Sequence, residues 1–75
     1  MTKPRDEYAI AVGKKIAESR KKVGWSQETL ASASGMEHRN QISDYERGTK
    51  VPNLRTAHRI TRALGVSVDS LLPSF

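Results

Sequence analysis

Apolar residues recur every three or four positions along most of this chain, and glycine interrupts the pattern at near-regular intervals. The stripe Tyr8, Val12, Ile16, Ser19 and Val23 predicts a first helix over roughly residues 5–22. Leu30 and Ala31 form the inner face of a short second helix that starts after Ser26, a residue suited to cap it. Ile42 and Tyr45 anchor a third over about residues 39–47. Leu54, Ala57, Ile60, Thr61 and Leu64 form the stripe of a fourth, with Asn53 as its cap. Val68, Leu71 and Leu72 belong to a last short helix, opened by Ser67 and stopped by Pro73. Gly24, Gly35, Gly48 and Gly65 each follow such a stretch, where a left-handed residue ends a helix. Gly13 lies inside the first helix at a cost of about 1 kcal/mol against alanine, and reads as a close helix contact. No stretch alternates with period two, so strands are not expected. The expected fold is all-α: a compact five-helix domain over residues 1–75.

Length and composition narrow the function. A chain of 75 residues makes one domain with a small core, and 36% hydrophobic residues suffice for a helical bundle. There is no cysteine, hence no disulfide and no thiolate metal site. His38 and His58 stand twenty residues apart with no second ligand at helical spacing, so neither a metal nor another cofactor is expected. No nucleophile elbow, phosphate-binding glycine loop or paired-acid motif occurs, so an enzyme is not expected. No apolar run reaches membrane-spanning length and the first ten residues lack a signal-like apolar segment, so a cytoplasmic protein without membrane contact is expected. Thirteen Lys and Arg against eight Asp and Glu give a net charge of +5 and a pI near 10.0. That balance suits a polyanionic partner, most often nucleic acid.

The segment from Gln27 to Gly48 sharpens this. Two helices that cross steeply need a small residue at the crossing, a glycine in the turn, an apolar residue after it and apolar anchors three apart in the second helix. Ala31, Gly35, Met36 and the pair Ile42 and Tyr45 meet these needs together. With successive residues about 100° apart, Arg39, Asn40, Ser43 and Asp44 share the outer face of the second helix, and Gln41 lies at its edge. Arginine bonds guanine O6 and N7, asparagine bonds adenine N6 and N7, and aspartate accepts from cytosine N4. The face therefore suits the major groove of double-stranded DNA. Asp44 has an equal alternative role, that of orienting Arg39.

These residues resemble the lambda-repressor-like helix-turn-helix family, which includes phage repressors, Cro proteins and restriction–modification controller proteins. The matching strings are GKKIAESRKKVGWSQETLA, the ISDYERG that ends the third helix and VPNLRTAHRITRALGVSVDSLL, nearly the whole chain, and HRN-x-IS-x-x-ERG especially resembles controller proteins and small phage regulators. The resemblance implies a five-helix bundle that binds DNA as a homodimer. It implies base contacts from Arg39, Asn40, Gln41, Ser43 and Asp44, and phosphate contacts from Gln27, His38, Arg47, Lys50 and Asn53. It implies a buried ion pair between Arg20 and Glu46, and puts Trp25 where the family usually carries leucine. Val68, Leu71, Leu72 and Phe75 carry more apolar surface than one short helix readily buries, which fits the family's habit of dimerising there. One departure stands out. Gly35 to Ile42 is seven steps where the family has six, so one residue, most simply Glu37, is extra in the turn.

The sequence thus reads as a sequence-specific transcriptional regulator that binds a palindromic operator as a homodimer, with no small-molecule effector expected. A restriction–modification controller is one sub-reading; a Cro-like phage regulator or an antitoxin is another. The rival from a different class is a protein-interaction module that kept the fold without DNA binding. Arg39, Asn40 and Gln27 speak against it, whereas Glu37 and Asp44 speak for it.

Overall fold

Four α-helices and a closing 3₁₀ turn follow one another in the computed structural model, which describes residues 6–74. They are α1 (Glu7–Lys22), α2 (Gln27–Ala33), α3 (Arg39–Arg47), α4 (Leu54–Leu64) and the 3₁₀ turn Val68–Leu71. The expected fifth helix is therefore a single tight turn. Only four residues are available, and the Ser67 side chain makes no capping bond to hold them in α geometry. No strand occurs among the described residues.

Side-chain caps fix where three of the helices begin. Asp6 accepts a hydrogen bond from the Ala9 amide at 3.1 Å, Ser26 from Thr29 at 3.0 Å and Asn53 from Thr56 at 2.8 Å. Gly24, Gly35, Gly48 and Gly65 all have φ between +74° and +79°, the left-handed region that ends a helix.

The core is built around Ile16, Leu30, Ile42, Ile60 and Leu71, each fully buried, with Val12, Ala31 and Leu64 beside them. Each large aliphatic side chain so buried contributes about 1.5–3 kcal/mol from hydrophobic transfer. Trp25, Met36 and Tyr45 pack against this cluster while half-exposed. The Thr61 hydroxyl, also buried, donates to the Ala57 carbonyl at 3.0 Å.

Two stripes differ from the pattern along the sequence. In α1 the buried positions are Ala9, Val12, Gly13 and Ile16, whereas Tyr8 and Val23 are largely exposed. The small residues Ala9 and Gly13 let neighbouring backbone approach, so the buried face turns toward them. In α4 the first stripe residue, Leu54, is 78% exposed, because the core is closed from Ala57 onward.

Gly13 marks where α1 meets α3. A methyl group there would overlap the Tyr45 carbonyl and stand 2.9 Å from the Glu46 carbonyl oxygen. Gly48, just beyond α3, is also closely packed: a Cβ would stand 2.7 Å from Ile10 Cγ1 and 2.9 Å from Ile10 Cα. Backbone contact at both points presses α3 onto α1 and sends its polar face outward.

Candidate nucleic-acid interface

Helix α3 presents the candidate reading face. Ile42 is buried and Tyr45 half-buried on the inner side, while Arg39, Asn40, Gln41 and Arg47 are exposed. Ser43 and Asp44 are half-buried. The helix begins at Arg39, with His38 in the cap position but making no capping bond. The extra residue of the turn is absorbed before that point: Glu37 forms an exposed bend between Met36 and His38. The helix therefore starts in register with its Ile42 and Tyr45 anchors.

Glu46 holds this helix in place. Its carboxylate receives Arg20 Nε at 2.7 Å and Arg20 Nη2 at 3.1 Å, a two-pronged pair, and Gln27 Nε2 at 3.0 Å. The remaining Arg20 nitrogen, Nη1, donates to the Trp25 carbonyl at 2.6 Å. The two charged side chains retain only 11% and 8% of their exposure. Hydrogen bonding to the Glu46 carboxylate raises the Arg20 pKa above its ordinary value, outweighing the opposing effect of burial. One carboxylate thus ties α1, the start of α2 and α3 together. Gln27 keeps its amide oxygen and second N–H for another partner.

Asp44 does not touch Arg39. Its carboxylate pairs with Arg47 Nη2 at 2.6 Å and with Lys50 Nζ at 3.7 Å. The alternative role of orienting Arg39 is thereby replaced by a hold on two of the cations assigned to phosphate. Asn53, also assigned to phosphate, uses its side-chain oxygen to cap α4, which leaves its amide N–H groups available.

Clefts flank α3 on both sides. Toward α2 lies one of about 500 Å³ that Glu28, Ser32, Arg39 and Asn40 help to line. Toward α4 lies one of about 520 Å³ with Gln41, Asp44 and Lys50 on one side and Thr56 and Arg59 on the other. Thr56 and Arg59 were missed by the sequence reasoning. A signal for them existed: Arg55, Arg59 and Arg62 recur at helical spacing on α4, which contains no acidic residue.

Residues 16–71 match the helix-turn-helix family profile. The chain belongs to the lambda-repressor-like helix-turn-helix family. It is 43% identical over 64 residues to control protein C.BamHI of Bacillus amyloliquefaciens, an alignment covering 84% of this chain and 78% of that protein. It is 37% identical over 65 residues to multiprotein-bridging factor 1 of Debaryomyces hansenii, covering 87% of this chain but only 43% of that longer protein. Among solved structures, the restriction–modification controller C.AhdI of Aeromonas hydrophila superposes with a TM-score of 0.81 at 31% identity, covering 85% of this chain and 96% of that one. The P22 c2 repressor, solved in complex with a synthetic operator, superposes with a TM-score of 0.77 at 31% identity, again covering 85% and 96%.

A helix-turn-helix that dimerises needs a second face, away from the reading helix. Leu71, expected there, is only 2% exposed and closes the core of the domain. Leu72 is 45% exposed and Val68 half-buried. With Tyr8, Val51 and Pro52 they line a shallow, almost wholly apolar groove. Tyr8 and Val51, also exposed, were not expected in this patch; they come from the start of α1 and the α3–α4 loop, and only the fold brings them to the C-terminal turn. Phe75 lies outside the described residues. Among those residues no group of His, Asp and Glu could hold a metal ion, and no helix is long and apolar enough to cross a membrane.

Proposed function

We propose that this chain is a DNA-binding transcriptional regulator that inserts α3 into the major groove of double-stranded DNA. The observation that carries the reading is the outer face of α3, which is polar along its whole length and flanked by cations on a helix pinned from behind by Gly13 and Glu46. Arg39, Asn40, Gln41, Ser43 and Asp44 face the base edges, where arginine suits guanine and asparagine suits adenine. Gln27, His38, Arg47, Lys50 and Asn53 meet phosphates on either side, and fix register without reading sequence.

One copy reads one half-site, which buries too little surface for tight specific binding. Two copies joined through the apolar groove around Leu72 read a palindrome, with half-site centres about 34 Å apart. Likeness to C.BamHI and to C.AhdI supports a controller-type regulator that acts on the promoter it occupies. Selection from a random pool of duplex DNA tests this: the protein enriches an inverted repeat. Enrichment of no site would instead favour the protein-interaction module.

A further inference from the structure

We infer that Asp44 is a discriminator: it restrains Arg47 and Lys50 on random DNA and releases them to phosphates where a cognate base supplies a donor for its carboxylate. The inference rests on the DNA-binding reading above and assigns Asp44 a part in it beyond base contact.

The geometry is an asymmetric triad on the DNA side of α3. One carboxylate lies 2.6 Å from Arg47 and 3.7 Å from Lys50, so a single negative charge is shared by two positive ones. Both cations are long and solvent-exposed, with side chains retaining 65% and 69% of their exposure, whereas Asp44 retains 23% and is seated on the helix. Exposed pairs of this kind are weak and exchange partners easily. A phosphodiester can therefore draw Arg47 and Lys50 away while Asp44 stays in place.

The consequence for Asp44 depends on the base pair opposite. Against a random base pair, giving up its cations would leave Asp44 facing a polyanion with no donor, an uncompensated charge held close to phosphates and partly out of water, so the pairs to Arg47 and Lys50 are kept. Against a cytosine N4 or adenine N6 amino group, the carboxylate gains a hydrogen bond as the cations leave. The same carboxylate thus weakens random binding more than cognate binding. The two positive charges on their own would favour every sequence equally, because phosphate contact carries no base information.

Asp44→Asn tests this, since it keeps the shape and one acceptor oxygen while removing the charge. Titrations of the full chain on the selected operator and on a random duplex of equal length, each over a series of salt concentrations, supply the readouts. Expected is an approximately tenfold tightening on random DNA, a salt slope there steeper by about 0.9, one more net charge, and a fall in the operator-to-random ratio. Asp44→Glu, which keeps the charge, retains the wild-type slope and guards against a folding artefact. Unchanged random binding and slope in Asp44→Asn would overturn the inference, and so would an equal loss on both duplexes. In either case, an Arg39→Ala variant that still loses operator affinity leaves the DNA-binding reading standing. Wild-type protein that binds neither duplex would remove both.

Discussion

Gln27 donates its side-chain amide to Glu46 across 3.0 Å, joining the first residue of α2 to the carboxylate that clamps Arg20. A residue assigned to a phosphate is thus oriented by one whose task is structural. The angle between α2 and α3 and the position of Gln27 are set by the same hydrogen bonds, so stability and the proposed phosphate contact are coupled at this point.

Glu46→Ala should destabilise the protein by about 3–5 kcal/mol, because it strands the guanidinium of Arg20 with little water around it. Glu28→Ala should stay within about 0.5 kcal/mol, since Glu28 is exposed and unpaired among the described residues. Thermal melts of the two variants compare them directly. Equal shifts would contradict the buried clamp.

Arg39→Ala should cost about 1–3 kcal/mol on the selected operator and relax preference at one base position. Arg39 is exposed at the first turn of α3 and makes no ion pair among the described residues, so it is free to meet a base. Titration against operators altered one base pair at a time measures both effects. Unchanged affinity together with unchanged preference would move the reading face elsewhere on the helix.

Gln27→Ala should weaken binding to all sequences by similar factors, whereas Lys50→Ala should weaken binding to the operator more than to random DNA, on which Asp44 restrains Lys50. Only Lys50→Ala should also flatten the salt dependence, by about 0.9 in slope, because only a cation displaces counterions from DNA. A Lys50→Ala defect confined to one operator base would show that Lys50 reads sequence.

Much of the fold was legible in the sequence because local chemistry decides it. Ser26 and Asn53 cap because a short polar side chain before an apolar stripe reaches the free amides of the first turn. The glycines after each helix take positive φ because a side chain is strained there. What escaped was set by neighbours far along the chain. Periodicity placed Tyr8 and Leu54 inward, yet it could not tell that a close α1–α3 approach at Gly13 would turn the buried face toward Ala9. Nor could spacing reveal that Asp44 meets Arg47 and Lys50, since an outward carboxylate at that position reaches either flank of the helix.

Gly13→Ala tests the close contact between α1 and α3. Alanine is the better helix former by about 1 kcal/mol, so an open site would gain stability. Here the added methyl meets backbone carbonyls of Tyr45 and Glu46, which no side-chain rotation can move aside. The helices must part, at an overpacking cost of about 1–3 kcal/mol. We expect a lower melting temperature together with weaker operator binding, since α3 shifts with its backbone. A higher melting temperature would show that α1 and α3 separate without strain.

The proposed dimer face gives the last prediction. Leu72 is 45% exposed beside Tyr8 and Val51, which are exposed to a similar degree, and all three border one apolar groove. A domain this small, with Leu71 already closing its core, has no internal use for that surface. A twofold axis through the groove would let each Leu72 fill the other subunit's recess, as a self-complementary interface requires. Leu72→Glu puts a charge on this patch without touching the core or α3. It should yield a folded monomer with normal helix content, and its operator affinity should fall severely because half the contacts are lost. Affinity for a single half-site should be unchanged, which separates loss of assembly from damage to the reading face. Analytical ultracentrifugation alongside titration on whole and half operators measures all three quantities. A variant that still sediments as the wild-type dimer would place the interface on another surface.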